Sequence, residues 1–490
     1  MRKTKSVFQG LMLLALAGML VVTLTGMASA AKKFGLADIP EIKNKRPIHV
    51  ALFGGLKVIE ENVGPLVKKF EEHTGIKVTY DLMIMASVYP KTNVELVAET
   101  GAYDAIIVEA STTNEWTRFL WPLKELAAAY EPEGVGGFNR FLDGIDKSML
   151  RTSSDRAGRL MCMPYFHYEQ LHAYRKDVFD DPTERANFKK RYGYELAPPT
   201  TRQQVYDQGE FFTRKKGELL KGELLKEDLY GLALMAGRFE INDEMSTLIW
   251  GAGGHWATLV KDEYDEPKEF VITKKDKAIL KEAIEYYKSL LKFCSPGCLT
   301  GFWDFTTAQF AEGRCIQIPF FYITLDTWAA TVEDKVPGAK LDLIPCIGGQ
   351  GYIGNFGQAV AKASRNPEAA YWFIKYLGSY ESQKKVIEGG LAGIRRDVMA
   401  EPKYKLPKWH RNVGLKAGII GKVWDEQLPY VDGYIHFNSS AMGKIYERQI
   451  IVMHEAAIGK ITPDEAVKEM TKQTIKLQRK FGDLPIREEK

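Results

Sequence analysis

Residue types suited to holding a molecule are plentiful in this chain, and arrangements suited to transforming one are not. Trp303-Asp304 sets a flat ring beside a carboxylate. Tyr352, Asn355 and Phe356 stand in a glycine-rich run, GGQGYIGNFG, whose backbone N–H groups have few side chains to shield them. Glu109, Ser111 and Thr112 follow the apolar run YDAIIV, at the place where an open α/β sheet presents its ligand. Arg395 offers a fork for hydroxyls or a carboxylate. Such a set suits a sugar-like molecule with apolar CH faces and a rim of hydroxyls. Rings stack on the faces, and fixed polar groups replace the lost water bonds, because an unpaired buried hydroxyl is costly.

Reaction centres leave clearer marks, and none is spelled here. The chain lacks G-x-S-x-G, G-x-x-x-x-G-K-[ST], H-E-x-x-H and a glycine fingerprint after its first strand. His167 and His172 are five apart in an expected strand, so they point to opposite faces and share no metal. No cofactor or metal is called for. Cys294-Ser-Pro-Gly-Cys298 turns tightly enough to expect a local disulfide; the rival, half of a zinc site, lacks a second C-x-x-C or a His pair. Five cysteines in all leave at least one unpaired in a monomer.

The N-terminus reads as a secretory signal. Arg2, Lys3 and Lys5 precede an apolar stretch from Leu11 to Val22, and Ala28-Ser29-Ala30 is a cleavage site. Leu24-Thr25-Gly26-Met27 has Met where a lipidated Cys would stand, so a soluble periplasmic or secreted protein is expected, cleaved after Ala30 and not a lipoprotein. Of 67 basic residues the signal carries three, which leaves 64 against 63 acidic ones. That near-balance argues against nucleic acid, which draws on clustered Lys and Arg.

The elements that must position these groups follow from hydrophobic periodicity. At 490 residues and 45% hydrophobic, the chain buries more than one core. Residues 47–108 read as β-α-β-α-β, with alternation at Ile48, Val50 and Leu52 and again at Ile76, Val78 and Tyr80. The first helix is expected from near Pro65, with Val63, Leu66, Val67 and Phe70 on one face; the second is expected only over Val94 to Thr100. Thr273 with Asp276, Asn366-Pro367-Glu368 and Thr462-Pro463-Asp464-Glu465 each announce a helix start. Trp116, Trp121, Trp372 and Phe373 read as packing residues.

One long stretch carries a family likeness. Phe310, Gly313 and Arg314 give F-x-x-G-R; then come a buried strand, the glycine-rich return, N-P-E-A-A-x-x-F-I-K-x-L from Asn366 to Leu377, and R-x-D-V ending at Val398. With Arg175-Lys176-Asp177-Val178-Phe179, this order resembles family 1 extracellular solute-binding proteins, the sugar-type receptors of ABC importers. The resemblance implies an α/β, two-lobed periplasmic-binding-protein fold (type II, maltose-binding-like), with discontinuous lobes joined by hinge strands. On that pattern residues 46–163 plus 346–391 form one lobe, and 164–345 plus 392–480 the other. It also implies ligand contacts at Tyr168 and Tyr322, and a cleft loop at Trp250, His255 and Trp256 around Gly251 to Gly254.

Ile323 stands where the maltose-type pattern has a stacking Trp, and Pro319-Phe320-Phe321-Tyr322 is more apolar than usual. A monosaccharide, polyol or amphipathic glycoside is therefore a better expectation than a maltodextrin. The expected protein is a monomeric, non-enzymatic receptor that delivers its carbohydrate-like ligand to ABC permease subunits. Two alternatives stand beside it: an exported carbohydrate-active lyase or hydrolase, and a receptor for a non-sugar solute such as a polyamine or ferric ion.

Overall fold

Alternating apolar residues build a parallel start to the chain, and the structure keeps it. A computed structural model describes residues 33–55, 57–323, 326–405 and 434–489; the signal sequence and its cleavage site lie outside the described residues. Strand β1 (Ile48–Phe53), helix α1 (Lys57–Thr74), β2 (Val78–Met83), helix α2 (Met85–Ala98) and β3 (Ala105–Glu109) form the expected unit. Both β2 and β3 pair with β1 in parallel. β3 is buried along its whole length, as its unbroken apolar sequence requires for a strand covered on both faces.

Two helices begin earlier than expected, and each carries a proline inside it. Helix α1 begins at Lys57 and carries Pro65 inside it, and α2 begins at Met85 with Pro90 inside. Proline removes one backbone bond from a helix interior. Packing of Val63, Leu66, Val67 and Phe70 into the core outweighs that loss in α1.

The centre of the fold is β4 (Met163–Arg175), thirteen residues without an exposed position. After it come β5 (Tyr230–Leu232), α3 (Ile241–Gly251), α4 (Lys274–Leu290), α5 (Trp303–Ala311), β6 (Cys315–Tyr322), β7 (Leu341–Pro345), β8 (Ile353–Val360), α6 (Pro367–Leu377), α7 (Met442–Ala457) and α8 (Pro463–Phe481). The main sheet runs β2-β1-β3-β8-β4-β6-β5, with β7 also on β4. Antiparallel β8 bridges β3 and β4. Residues Met163 to Glu169 of β4 face β8, whereas Gln170 to Arg175 face β6 and β7. One strand thus passes from the first half of the molecule into the second. Pro319 sits inside β6 at a register shift between Ile318 and Phe321, the kind of irregularity where a strand tolerates a residue that cannot donate.

The helix starts fall where the sequence put them. Thr273 and Asp276 form a reciprocal capping box on α4, as do Thr462 and Glu465 on α8, and the Asn366 side chain accepts from Ala369 N at the start of α6. Trp116, Trp372 and Phe373 are core residues. His167 and His172 are buried apart, one on Gly393 O and the other on Gln317. The expected disulfide is not formed: Cys294 and Cys298 are free, buried thiols joined by a hydrogen bond. Cys294 Sγ also reaches Leu290 O, so the local turn satisfies both thiols without oxidation.

Candidate functional site

Strand ends from both halves converge on one buried cluster. Glu109 ends β3, and its carboxylate accepts from Ser111 N at 3.0 Å, from the Ser111 hydroxyl and from the Tyr168 hydroxyl. Thr112 turns back to Glu109 O at 2.7 Å. Ser111 and Thr112 therefore brace Glu109. Tyr168 lies on β4 directly opposite Gly354 of β8. A Cβ at Gly354 would fall 2.4 Å from the Tyr168 hydroxyl, so only glycine lets that ring cross the strand.

Across the cluster, Tyr322 at the end of β6 donates to Asp243 of α3, and Tyr446 of α7 donates to the same carboxylate at 2.7 Å. The Tyr352 hydroxyl reaches Asp243 too and lies 2.6 Å from His436 Nε2. Rings tie the halves together. Tyr168 packs edge-on to Tyr322 at 5.9 Å and stacks on Tyr352 at 6.0 Å. Trp250 stacks between Tyr352 at 5.6 Å and Tyr434 at 4.3 Å. Phe356 closes the first side against Phe53, Phe166 and Tyr168.

The electrostatics are unusual for a buried site. Burial pushes the Glu109 carboxyl up, against the pull of its bonds from Ser111 and Tyr168. Burial lifts Asp243 to about 7 and Glu244 to about 8. It drives Glu240 well above the carboxylate range, with the charge of Asp243 adding to the push. His436 is held neutral, its value lowered to about 3 by burial. The cluster is therefore a set of hydroxyls, rings and proton-retaining acids. It can exchange hydrogen bonds with a hydroxylated guest, and among the described residues no group of three or more metal-ligating side chains forms.

Of the residues singled out from sequence, Glu109, Tyr168, Trp250, Tyr322, Tyr352 and Phe356 meet here, with Ser111 and Thr112 behind them. Others go elsewhere. Asn355 is fully buried between Thr152 and Ser153, a packing bond of the first half. Trp256 donates to Ser246 Oγ at 2.8 Å; His255 N donates to Asp276, and only the His255 ring edges the Tyr434 stack, at 5.3 Å. Trp303 packs edge-on to Trp328 at 6.1 Å, while the Asp304 charge is felt at Glu240. Arg395 forks onto Asp397 at 2.9 and 3.0 Å and onto Phe141 O and Gly378 O, lining a separate groove of about 710 Å³ with Phe34, Trp372 and Lys375. The glycine-rich N–H groups are largely taken up by the β8 ladder.

Asp243, Tyr446, His436 and Tyr434 were not found from sequence. A signal existed for the first. Glu240, Asp243 and Glu244 share a face at i, i+3 and i+4 at the start of a helix that ends in the apolar run Leu248-Ile249-Trp250, and acids are seldom buried without a reason.

The sequence settles the family. Residues 56–384 match the bacterial extracellular solute-binding protein family. The chain belongs to that family. No curated protein matches it. Solved structures of solute-binding proteins share the fold at low identity. An ABC transporter solute-binding protein of Agrobacterium radiobacter in complex with ribitol is 16% identical, with a TM-score of 0.67 over 90% of this chain and 100% of that one. Maltose-bound MalE3 of T. maritima is 17% identical, with a TM-score of 0.64 over 89% and 100%. A solute-binding protein of Thermotoga lettingae bound with α-D-tagatose is 19% identical, with a TM-score of 0.64 over 88% and 99%. As a solute-binding protein, then, the chain has the two-lobed α/β architecture of its relatives, with β4 as a shared crossing strand.

Proposed function

We propose that this protein captures a small sugar, polyol or glycoside between its lobes and delivers it to the permease of an ABC importer. The observation that carries the reading is the cluster itself: Glu109 and Tyr168 on one side, Tyr322 and Asp243 on the other, joined by Tyr352 and Trp250. Three tyrosine hydroxyls converging on Asp243 are a ready set of partners for a hydroxylated guest, and the stacked rings offer platforms for its CH faces. The relatives solved with ribitol, tagatose, mannitol and maltose support a carbohydrate or polyol guest. Contacts from both lobes favour a closed state, so hinge motion about β4 would couple capture to release. In this reading the protein is an exported monomer that releases its ligand unaltered. Among the described residues no helix is long and apolar enough to cross a membrane.

Thermal denaturation with ribitol, D-mannitol, D-tagatose and maltose tests the reading. A true ligand at a hundred times its Kd adds about 2.7 kcal/mol to stability and raises Tm accordingly. Chromatography of the same mixtures should return each compound unaltered. A new product, or no shift from any carbohydrate, would refute it.

A further inference from the structure

The acids of the cluster have no counter-charge. Several buried acids elsewhere do have one: Glu131 with Lys375 at 2.6 Å, Glu184 with Arg214 at 2.5 Å, Asp177 with Arg175 and Lys221 at 2.8 Å each. Others, such as Asp104 and Asp276, are held by backbone N–H groups and hydroxyls that meet their oxygens. In the cleft, Glu109, Asp243, Glu240 and Glu244 are all buried, and among the described residues none of them meets a Lys or Arg. The one nearby ring nitrogen, in His436, is held neutral.

A second observation lies beside the acids. Glu240 Oε2 is buried with no hydrogen-bond partner, and both amide atoms of the neighbouring Asn242 are likewise unmatched. Glu240 stands at the start of α3, three residues before Asp243 and on the same face of that helix. An orphaned buried carboxyl oxygen costs stability and marks a place where a donor is missing.

We infer that the solute carries an ammonium group as well as hydroxyls: an amino sugar or amino polyol whose cation lies against Glu240 and Asp243. This rests on the reading of the cleft as the ligand site. An ammonium has three donors and a full charge. It fills the vacant position on Glu240 and shares Asp243 with the tyrosines. It also lets both acids ionise, which no neutral polyol does. The faces of Tyr168, Tyr322, Tyr352 and Trp250 attract the same cation.

Calorimetric titration of the full-length mature protein with matched pairs decides the matter: D-sorbitol against 1-amino-1-deoxy-D-sorbitol, and D-glucose against D-glucosamine, with spermidine as a cation lacking hydroxyls. At least one amino compound should bind about tenfold or more tightly than its neutral partner, the scale of a desolvated charge pair. The isosteric substitution Glu240→Gln should abolish that preference, and Asp243→Asn should reduce it, while the melting curve of the unliganded protein shows each variant folded. Equal or tighter binding of the neutral partner in both pairs overturns the inference and leaves the carbohydrate reading standing. Spermidine binding with every hydroxylated compound silent overturns both. Silence from all five compounds, when a neutral carbohydrate shifts Tm, overturns the inference alone.

Discussion

Two buried acids in this molecule live in opposite circumstances. Glu131 lies on Lys375 and accepts the Tyr371 hydroxyl besides, with both ionic side chains about 5% exposed or less. Asp243 is as deeply buried but is met only by tyrosine hydroxyls, and burial lifts it to about 7. The first arrangement is complete within the chain. The second leaves the acid without a matching charge among the described residues, which is the basis for proposing a ligand there.

The sharpest way to break that contrast is to remove the match. Lys375→Met leaves Glu131 unpaired in the core and should cost about 3–5 kcal/mol in chemical denaturation, with ligand affinity unchanged. Asp243→Asn does the reverse: affinity falls while stability at low pH is retained. The sign follows from linkage. The folded value of Asp243 lies above its unfolded one, 3.8 rising to about 7. Its stabilising contribution is therefore complete below about pH 4 and is lost as pH climbs to about 7, a change on the order of 4 kcal/mol. The wild-type minus Asp243→Asn difference isolates this slope from the buried histidines, whose lowered values act in the opposite sense. A slope of equal steepness in both proteins would end the contrast.

The smallest expected effect concerns Arg395, whose four bonds go to Asp397, Phe141 O and Gly378 O and none to the cluster. Arg395→Lys should lower stability by about 1–2 kcal/mol through lost bidentate geometry, with no change in ligand Kd by titration.

Local signals explain what could be read in the chain. Alternation at Ile48, Val50 and Leu52 and the caps at Thr273, Asn366 and Thr462 act within a few residues, so the sequence displays them. Tyr168 and Tyr322 come from the family resemblance and Tyr352 from the glycine-rich run, and the fold brings the three rings together. Arg395 misled because a forked cation looks the same whether its carboxylate is a ligand or Asp397 two residues on. Asn355 misled because alternation in β8 aims it at Thr152, a partner some two hundred positions distant in sequence. Asp243 and Tyr446 are joined only by tertiary packing of α3 on α7, which no short window records. Pro65 reads as a first-turn residue and so sets the expected start of α1 too late, although the helix continues before it.

The strand β4 has one more consequence. Since its first seven residues are matched to β8 and its last six to β6 and β7, neither half owns a complete sheet. A gene cut on either side of this strand would give one product with a raw, adhesive margin and another with a loose ribbon. The two halves are thus expected to melt together, in one step, and to be inherited as one indivisible piece.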